Sequence, residues 1–395
     1  MQFADRISPL NRNVFADIDR AKSKLRASGQ SLIDLSLGSS DLPTSPHILD
    51  AIAQSLTDPT THGYLLFNGT QPFRKSIADW YEKRFGIAVD SETEVLPLIG
   101  SQEGTAHLPL ALLNPGDYAL LLDPGYPSHA GGVHLAGGQI YGMPIAENTG
   151  FLPVLSDISA DVLKRAKLMV LSYPHNPTGA IAPLEFFQEA VAFCNTHHLV
   201  LAHDFPYLDL VFRHEPVPSI FQADPTKSCT IEFFTMSKSY NMGGFRIGYA
   251  IGNAKLITAL RQIKATVDFN QYLGILNAAS VALTNDQTCV RTTVETFHDR
   301  MDTFVDAMNA IGWPVTKPNA AMYVWAKLPA GYTDSMKFCL DLMEKTGVVA
   351  SPGIGFGAGG EGYVRFALVH DSAVLREAAH RIGEVNYTCL FQTGC

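Results

Sequence analysis

Between Thr235 and Arg246 the chain reads TMSKSYNMGGFR, which sets one lysine, Lys238, among the hydroxyls of Thr235 and Ser237 and follows it with an arginine. A lysine amine condenses with a carbonyl to a Schiff base, while hydroxyls and a guanidinium hold a phosphate dianion through short, charge-assisted hydrogen bonds. A single small molecule carrying both an aldehyde and a phosphate, pyridoxal 5'-phosphate, would use all of these groups. The same stretch also reads as a solvated turn ahead of a strand, so residues elsewhere must separate the two readings.

In an open parallel sheet, ligands collect beyond the carboxyl ends of the strands, so residues that follow apolar runs are the next candidates. Gly100, Ser101 and Gln102 follow one such run and open an apolar helix, where unpaired amides can hold a phosphate; an ordinary capped helix start looks the same. Asp204 ends the run LVLAHD. A carboxylate there is costly to bury unless a partner such as a pyridinium N–H keeps it ionised, and a structural ion pair is the competing reading. Tyr207 lies three residues on, and Asn176 sits in YPHNPTG. Both offer hydrogen bonds to a phenolic oxygen, although N-P is also a common turn. Tyr126, in DPGYP, can stack on a planar ring or simply pack on its own loop. Arg365 interrupts the strand-like GYVRFALV; it either points to solvent or meets a substrate carboxylate indoors with its planar fork.

These residues need a scaffold, and its elements are readable. Short apolar runs at 94–100, 118–123, 168–174, 199–204, 230–237 and 246–252 alternate with amphipathic segments, the pattern of a mostly parallel sheet covered by helices. Helical periodicity is clear in QPFRKSIADWYEKRF and over 184–197. Beyond about residue 286 the order changes to a long polar helix, AMYVWAKL, a helix from about 335, GYVRFALV and a closing helix. This predicts a large domain over 40–285 and a smaller α+β domain from 286–395 together with 1–39, whose amphipathic helix (Phe15, Ile18, Ala21, Leu25) packs on the C-terminal part.

Composition narrows the function classes. With 395 residues, 46% apolar content and a net charge of -9, the chain has material for two cores and no general basic field for nucleic acid or anionic lipid. The sequence shows neither a membrane-spanning apolar run nor a signal-peptide centre, which predicts a cytoplasmic protein. The six cysteines lack paired C-x-x-C spacing, so neither a zinc site nor a disulfide framework is expected; only Cys389 and Cys395, near the end, lie close enough for a regulatory disulfide.

With Gly100-Ser101, Asn176, Asp204, Tyr207, Lys238 and Arg246 in this order, the chain resembles the class I and II aminotransferases, pyridoxal-phosphate enzymes of fold type I, over nearly its whole length. The resemblance implies an α/β large domain with a mostly parallel seven-stranded sheet between helices plus the smaller α+β domain. It implies that Lys238 ties the cofactor covalently, that Asp204 pairs with its ring nitrogen, and that Tyr207 and Asn176 bond its ring oxygen. Gly100, Ser101, Gln102, Thr235, Ser237 and Arg246 would form the phosphate cup, with Tyr126 stacked on the ring. Gly38, Asn176 and Arg365 would flank the substrate carboxylate, and Tyr64 would reach the phosphate of a neighbouring subunit's cofactor, which implies a homodimer with active sites at the interface. The wording NMGGFR and DPGYP resembles the branch of LL-diaminopimelate and prokaryotic aspartate aminotransferases. The activity implied is ping-pong transfer of an amino group between an amino acid and a 2-oxo acid. A second arginine for a side-chain carboxylate has only Arg261 and Arg291 as candidates. Two rivals remain: a β-lyase acting on cysteine conjugates with the same cofactor, and a non-catalytic effector-binding module, which the acidic charge and the absence of a helix-turn-helix ahead of the fold disfavour.

Overall fold

The computed structural model describes residues 3–11, 14–212 and 216–385; the pair Cys389 and Cys395 lies outside them. Among the described residues, twelve strands form three sheets. The short β1 (Ile33–Asp34) leads to the large sheet, made of β2 (Val95–Leu98), β3 (Tyr118–Asp123), β4 (Gln139–Pro144), β5 (Ala166–Ser172), β6 (Val200–Asp204), β7 (Thr230–Thr235) and β8 (Gly248–Gly252). Then come β9 (Tyr323–Lys327), β10 (Val348–Val349), β11 (Ser351–Pro352) and β12 (Tyr363–Ala367).

The seven-stranded sheet runs in the order β2-β8-β7-β6-β5-β3-β4. Its central strands are covered by helices on both faces, so they read as mostly apolar runs: β7 is buried at every position, including Glu232 held by His203, and β5 at all but Lys167. The β4 strand has no such run. It pairs only with β3 at the edge, and QIYGMP is exposed or half-buried at every residue except Met143. An edge strand with that composition carries no periodic signal, so only the structure reveals it.

Direction along this sheet decides where its ligands go. Pairings β3 with β4 and β5, β5 with β6, and β6 with β7 are parallel, whereas β8 is antiparallel to both β7 and β2. The carboxyl ends of β2, β3, β5, β6 and β7 therefore share one edge with the amino end of β8. Residues separated by more than a hundred positions are thus delivered to one crevice.

A second unit is built from both chain ends. β1 pairs in parallel with β10, and β11-β12-β9 form an antiparallel sheet. Ile18 of the helix Val14–Ala27 is buried in one core with Leu342, Phe366 and Trp313, and Ala21 and Leu25 pack against it. The long helix Thr288–Ala310 ties the units together, because Arg300, 4% exposed, holds Asp41 with two hydrogen bonds of 2.6 and 2.8 Å. Removing one partner of a buried pair strands the other's charge; Asp41 is partly solvated, so Arg300→Met is expected to cost about 2 kcal/mol in urea unfolding rather than the larger loss of a fully buried pair.

Candidate active site

A cleft of about 600 Å³ opens where these strand ends meet the second unit. Its walls include Ser101, Gln102, Tyr126, Asn176, Asp204, Tyr207, Thr235, Ser237, Lys238 and Arg246 from the large sheet's edge. Gly38 and Arg365 face the same space from the other side. Twelve of the sequence-predicted positions therefore converge, although they span residues 38 to 365.

Lys238 sits one turn past β7, in a single helical turn, Met236–Ser239, whose start Thr235 caps by accepting from the Ser237 N–H at 3.2 Å. Its Nζ donates to the Gly38 carbonyl and lies 5.8 Å from the centre of the Tyr207 ring. Burial holds its pKa below the ordinary lysine value, assisted by the cationic Arg365 and Arg246 and opposed by Tyr323. The amine is thus biased toward its neutral, nucleophilic form.

Asp204, the last residue of β6, is 3% exposed. One oxygen, Oδ2, lies 3.1 Å from His129 Nε2, but Oδ1 is buried with no hydrogen-bond partner among the described residues. A carboxylate oxygen left this way needs a donor, and a ligand in the cleft carrying a cationic N–H would supply one. His129 lies in the first turn of the helix Pro127–Leu135, three residues after Tyr126, and its ring meets the Tyr126 ring edge-on at 5.6 Å. Sequence reasoning missed it: a helical histidine carries no signal of its own, and only its place three residues after Tyr126 could have drawn attention.

At one end of the cleft are groups suited to a phosphate. Gly100 turns the chain from β2 into the helix Ser101–Leu112 at φ +77°, and a Cβ there would come 2.6 Å from Arg246 Nη2, so the close approach of Arg246 requires glycine. Thr235 Oγ1 and Ser237 Oγ are 2.9 Å apart, both on the cleft wall. Helix-start amides, two hydroxyls and a guanidinium make an anion cradle.

The opposite end is built around Arg365. It is 6% exposed, which removes the solvent-facing reading. Its Nη1 donates to Asn176 Oδ1 at 2.8 Å, its Nη2 donates to the Ser36 carbonyl at 2.7 Å, and its Nε is buried without a partner among the described residues. The guanidinium lies over the Tyr323 ring at 4.2 Å. Tyr323 Oη is 2.7 Å from Tyr207 Oη, and a Cβ on Gly38 would fall 2.0 Å from that Tyr323 hydroxyl, so glycine at 38 makes room for this tyrosine pair. Tyr323 and Ser36 had no sequence signal, because their role comes only from contact with residues far along the chain.

Three positions lie apart. Tyr64 is 95% exposed and does not line the cleft. Arg261 rests over the Phe67 ring at 4.5 Å, and Arg291 bonds Thr288 on the outer helix, so neither serves this cleft as the second arginine.

Next to Asn176 of the cleft wall, His175 is wholly enclosed and bonded to Thr178 at 2.8 Å. Burial pushes its pKa down to about 3 from 6.5. The folded state therefore keeps this ring neutral while the unfolded chain protonates it, so its share of stability is complete above pH 6.5 and is lost as pH falls toward 3. Between pH 6.5 and 5 that is about 2 kcal/mol at 1.36 kcal/mol per unit. Urea unfolding at pH 7 and pH 5 should show a shallower acid loss in His175→Gln than in the parent.

The comparisons with known proteins agree with this geometry. Residues 30–382 match the family described as aminotransferase class I and II. The LL-diaminopimelate aminotransferase of Dehalococcoides mccartyi is 43% identical over 93% of this chain and 95% of its own, and that of Syntrophobacter fumaroxidans is 40% identical over 97% and 99%. Among solved structures, a probable N-succinyldiaminopimelate aminotransferase from Thermus thermophilus superposes with a TM-score of 0.89 at 42% identity, covering 94% of this chain and 99% of that one. Substrate-bound BacF from Bacillus subtilis gives 0.92 at 34% identity, covering 98% of each chain. The chain belongs to the class I and II aminotransferase family, with the type I fold of the pyridoxal-phosphate enzymes.

Proposed function

We propose that this aminotransferase holds pyridoxal 5'-phosphate in the cleft and moves an amino group from an amino acid to a 2-oxo acid in the cytoplasm. The observation that carries the reading is the pairing, in one cleft, of a buried lysine biased to its neutral form with a buried aspartate oxygen that has no partner among the described residues. Bound there, the cofactor supplies an aldehyde for exchange with amines and a protonated ring that draws electrons from the substrate's Cα.

The chain's own residues do the rest. Ser101, Gln102, Thr235, Ser237 and Arg246, with Gly100 behind them, anchor the phosphate. Asp204, held by His129, keeps the ring nitrogen protonated, since an ionised carboxylate favours a cationic neighbour. Tyr126 covers the ring, and Tyr207 and Asn176 direct hydrogen-bonding groups at its edge. Arg365 and the Gly38 backbone orient the substrate carboxylate, so that the Cα proton faces Lys238 Nζ. That amine accepts the proton and returns it nearby, a transfer for which a lowered pKa is the requirement. In this reading residues 40–285 carry the cofactor and residues 1–39 with 286–395 close over the substrate. Two copies form a homodimer in which Tyr64 completes the partner's phosphate site; the full exposure of Tyr64, with Leu66 64% exposed beside it, suits a surface that a second copy covers.

The amino donors favoured are LL-diaminopimelate and aspartate, the first because the relatives at 40–43% identity carry that name. Cofactor-loaded protein should be mixed with diaminopimelate, its N-succinyl derivative, aspartate, alanine, glutamate and aromatic amino acids, and the 2-oxo acid formed should be measured with and without an acceptor. Strict dependence on the acceptor is the expected result. Pyruvate and ammonia released without any acceptor would overturn it in favour of a lyase.

A further inference from the structure

Behind the phosphate end of the cleft, Glu103 and Lys264 form an ion pair with side chains 4% and 3% exposed. Glu103 is the third residue of the helix Ser101–Leu112, and Lys264 lies in the helix Ala254–Val267. Lys264 Nζ donates to both carboxylate oxygens, at 2.9 and 3.0 Å. Glu103 Oε2 also accepts from the backbone N–H of Ile99, the residue before Gly100. The stretch that follows Lys264 adds a second tie, because Gln271 Nε2 donates to the carbonyls of Leu98 at 3.1 Å and Arg246 at 3.3 Å. One segment therefore grips the strand-to-helix turn and the arginine that line the anion cradle.

The charge arrangement is as informative as the ties. Oxygen and nitrogen atoms of Glu103, His107 and Asp268 lie within 4.8 Å of one another, a grouping that could attract a cation. The cation is built in: the Lys264 ammonium touches Glu103 and lies 3.4 Å from Asp268 Oδ1. Burial raises the Glu103 pKa to about 7 even against the pull of this ammonium; without the ammonium, the third position of the helix whose start faces the incoming phosphate would hold a carboxyl that either opposes the dianion or takes up a proton, and the paired arrangement is lost in both cases.

We propose that Glu103 and Lys264 are positioning residues for the cofactor's phosphate, fixing the Ile99–Ser101 backbone and cancelling the carboxylate's charge beside the cradle. The inference rests on the reading of the cleft as a pyridoxal-phosphate pocket. The test is binding, with no turnover required: full-length protein stripped of cofactor is titrated with pyridoxal 5'-phosphate and with pyridoxal, which lacks the phosphate, following protein fluorescence. A parent protein that does not prefer the phosphorylated form would remove the pocket reading itself. Given that preference, Lys264→Met should weaken pyridoxal 5'-phosphate binding about tenfold or more while pyridoxal stays within about twofold. Glu103→Gln/Lys264→Met, which keeps an acceptor for the Ile99 N–H and removes both charges, should regain most of the loss. Equal weakening of both ligands by Lys264→Met, or of neither, overturns the proposal. If Lys264→Met does not fold, Glu103→Gln decides, because it removes the carboxylate's charge while keeping an acceptor for the Ile99 N–H and the Lys264 contact to Asp268: the phosphate preference should hold or rise, and a fall overturns the proposal.

Discussion

Lys238→Ala is expected to lower kcat for transamination by more than about 10⁴-fold, since under the proposed function it would remove the covalent tie to the cofactor and the group that carries the Cα proton, and proton transfer alone supplies up to roughly that factor. The variant should still fold. Burial already disfavours the charged lysine, so its loss removes a desolvation cost, and cofactor-free Lys238→Ala should resist urea at pH 7 at least as well as the parent. A small primary amine added to the medium can enter the space the side chain leaves and should restore part of the rate. Rapid-quench measurement of the 2-oxo acid checks both points. Turnover within tenfold of the parent would sink the mechanism.

Asp204→Asn should come next, with kcat reduced about 10³-fold, the upper range for loss of one preorganised electrostatic partner. The substitution is nearly isosteric, so the packing around β6 survives while the negative charge does not. Without it, the ring nitrogen of the bound cofactor is no longer held protonated, and the electrons of the Cα–H bond have no sink. Asp204→Glu tests the cause: the longer side chain fits poorly against His129, yet it keeps the charge and should retain more activity than the amide. If the amide variant turns over like the parent, Asp204 does not serve the ring. The two substitutions also separate roles, because Lys238→Ala should respond to added amine and Asp204→Asn should not.

The strands that hold these residues were legible because helices cover both faces of the large sheet, which forces mostly apolar sequence such as LMVLS and TIEFFT. The edge strand β4 escaped for the converse reason, since it is mostly solvent-facing. Within the site, Lys238 stood out as an amine among hydroxyls followed by an arginine, and Asp204 and Arg246 because each breaks an apolar or glycine-rich context with a charge that costs energy unless it is used. His129, Tyr323 and Ser36 did not, because a histidine on a helix or a tyrosine on a strand is ordinary until its neighbour is known. The Glu103–Lys264 pair joins residues 161 positions apart and leaves no local trace.

By itself the sequence determined which chemical groups the protein owns and their order along the chain: an amine among hydroxyls, an acid at a strand end, an arginine in each of the two expected domains. That follows from short-range rules, in which periodicity and turn residues set the elements. Tertiary structure alone decided that Asp204 keeps one oxygen without a partner among the described residues, that Arg365 is enclosed with Asn176 and Ser36, and that Lys238 is desolvated beside two guanidiniums. Burial and charge proximity depend on what distant segments bring to the same crevice, and they set protonation and reactivity.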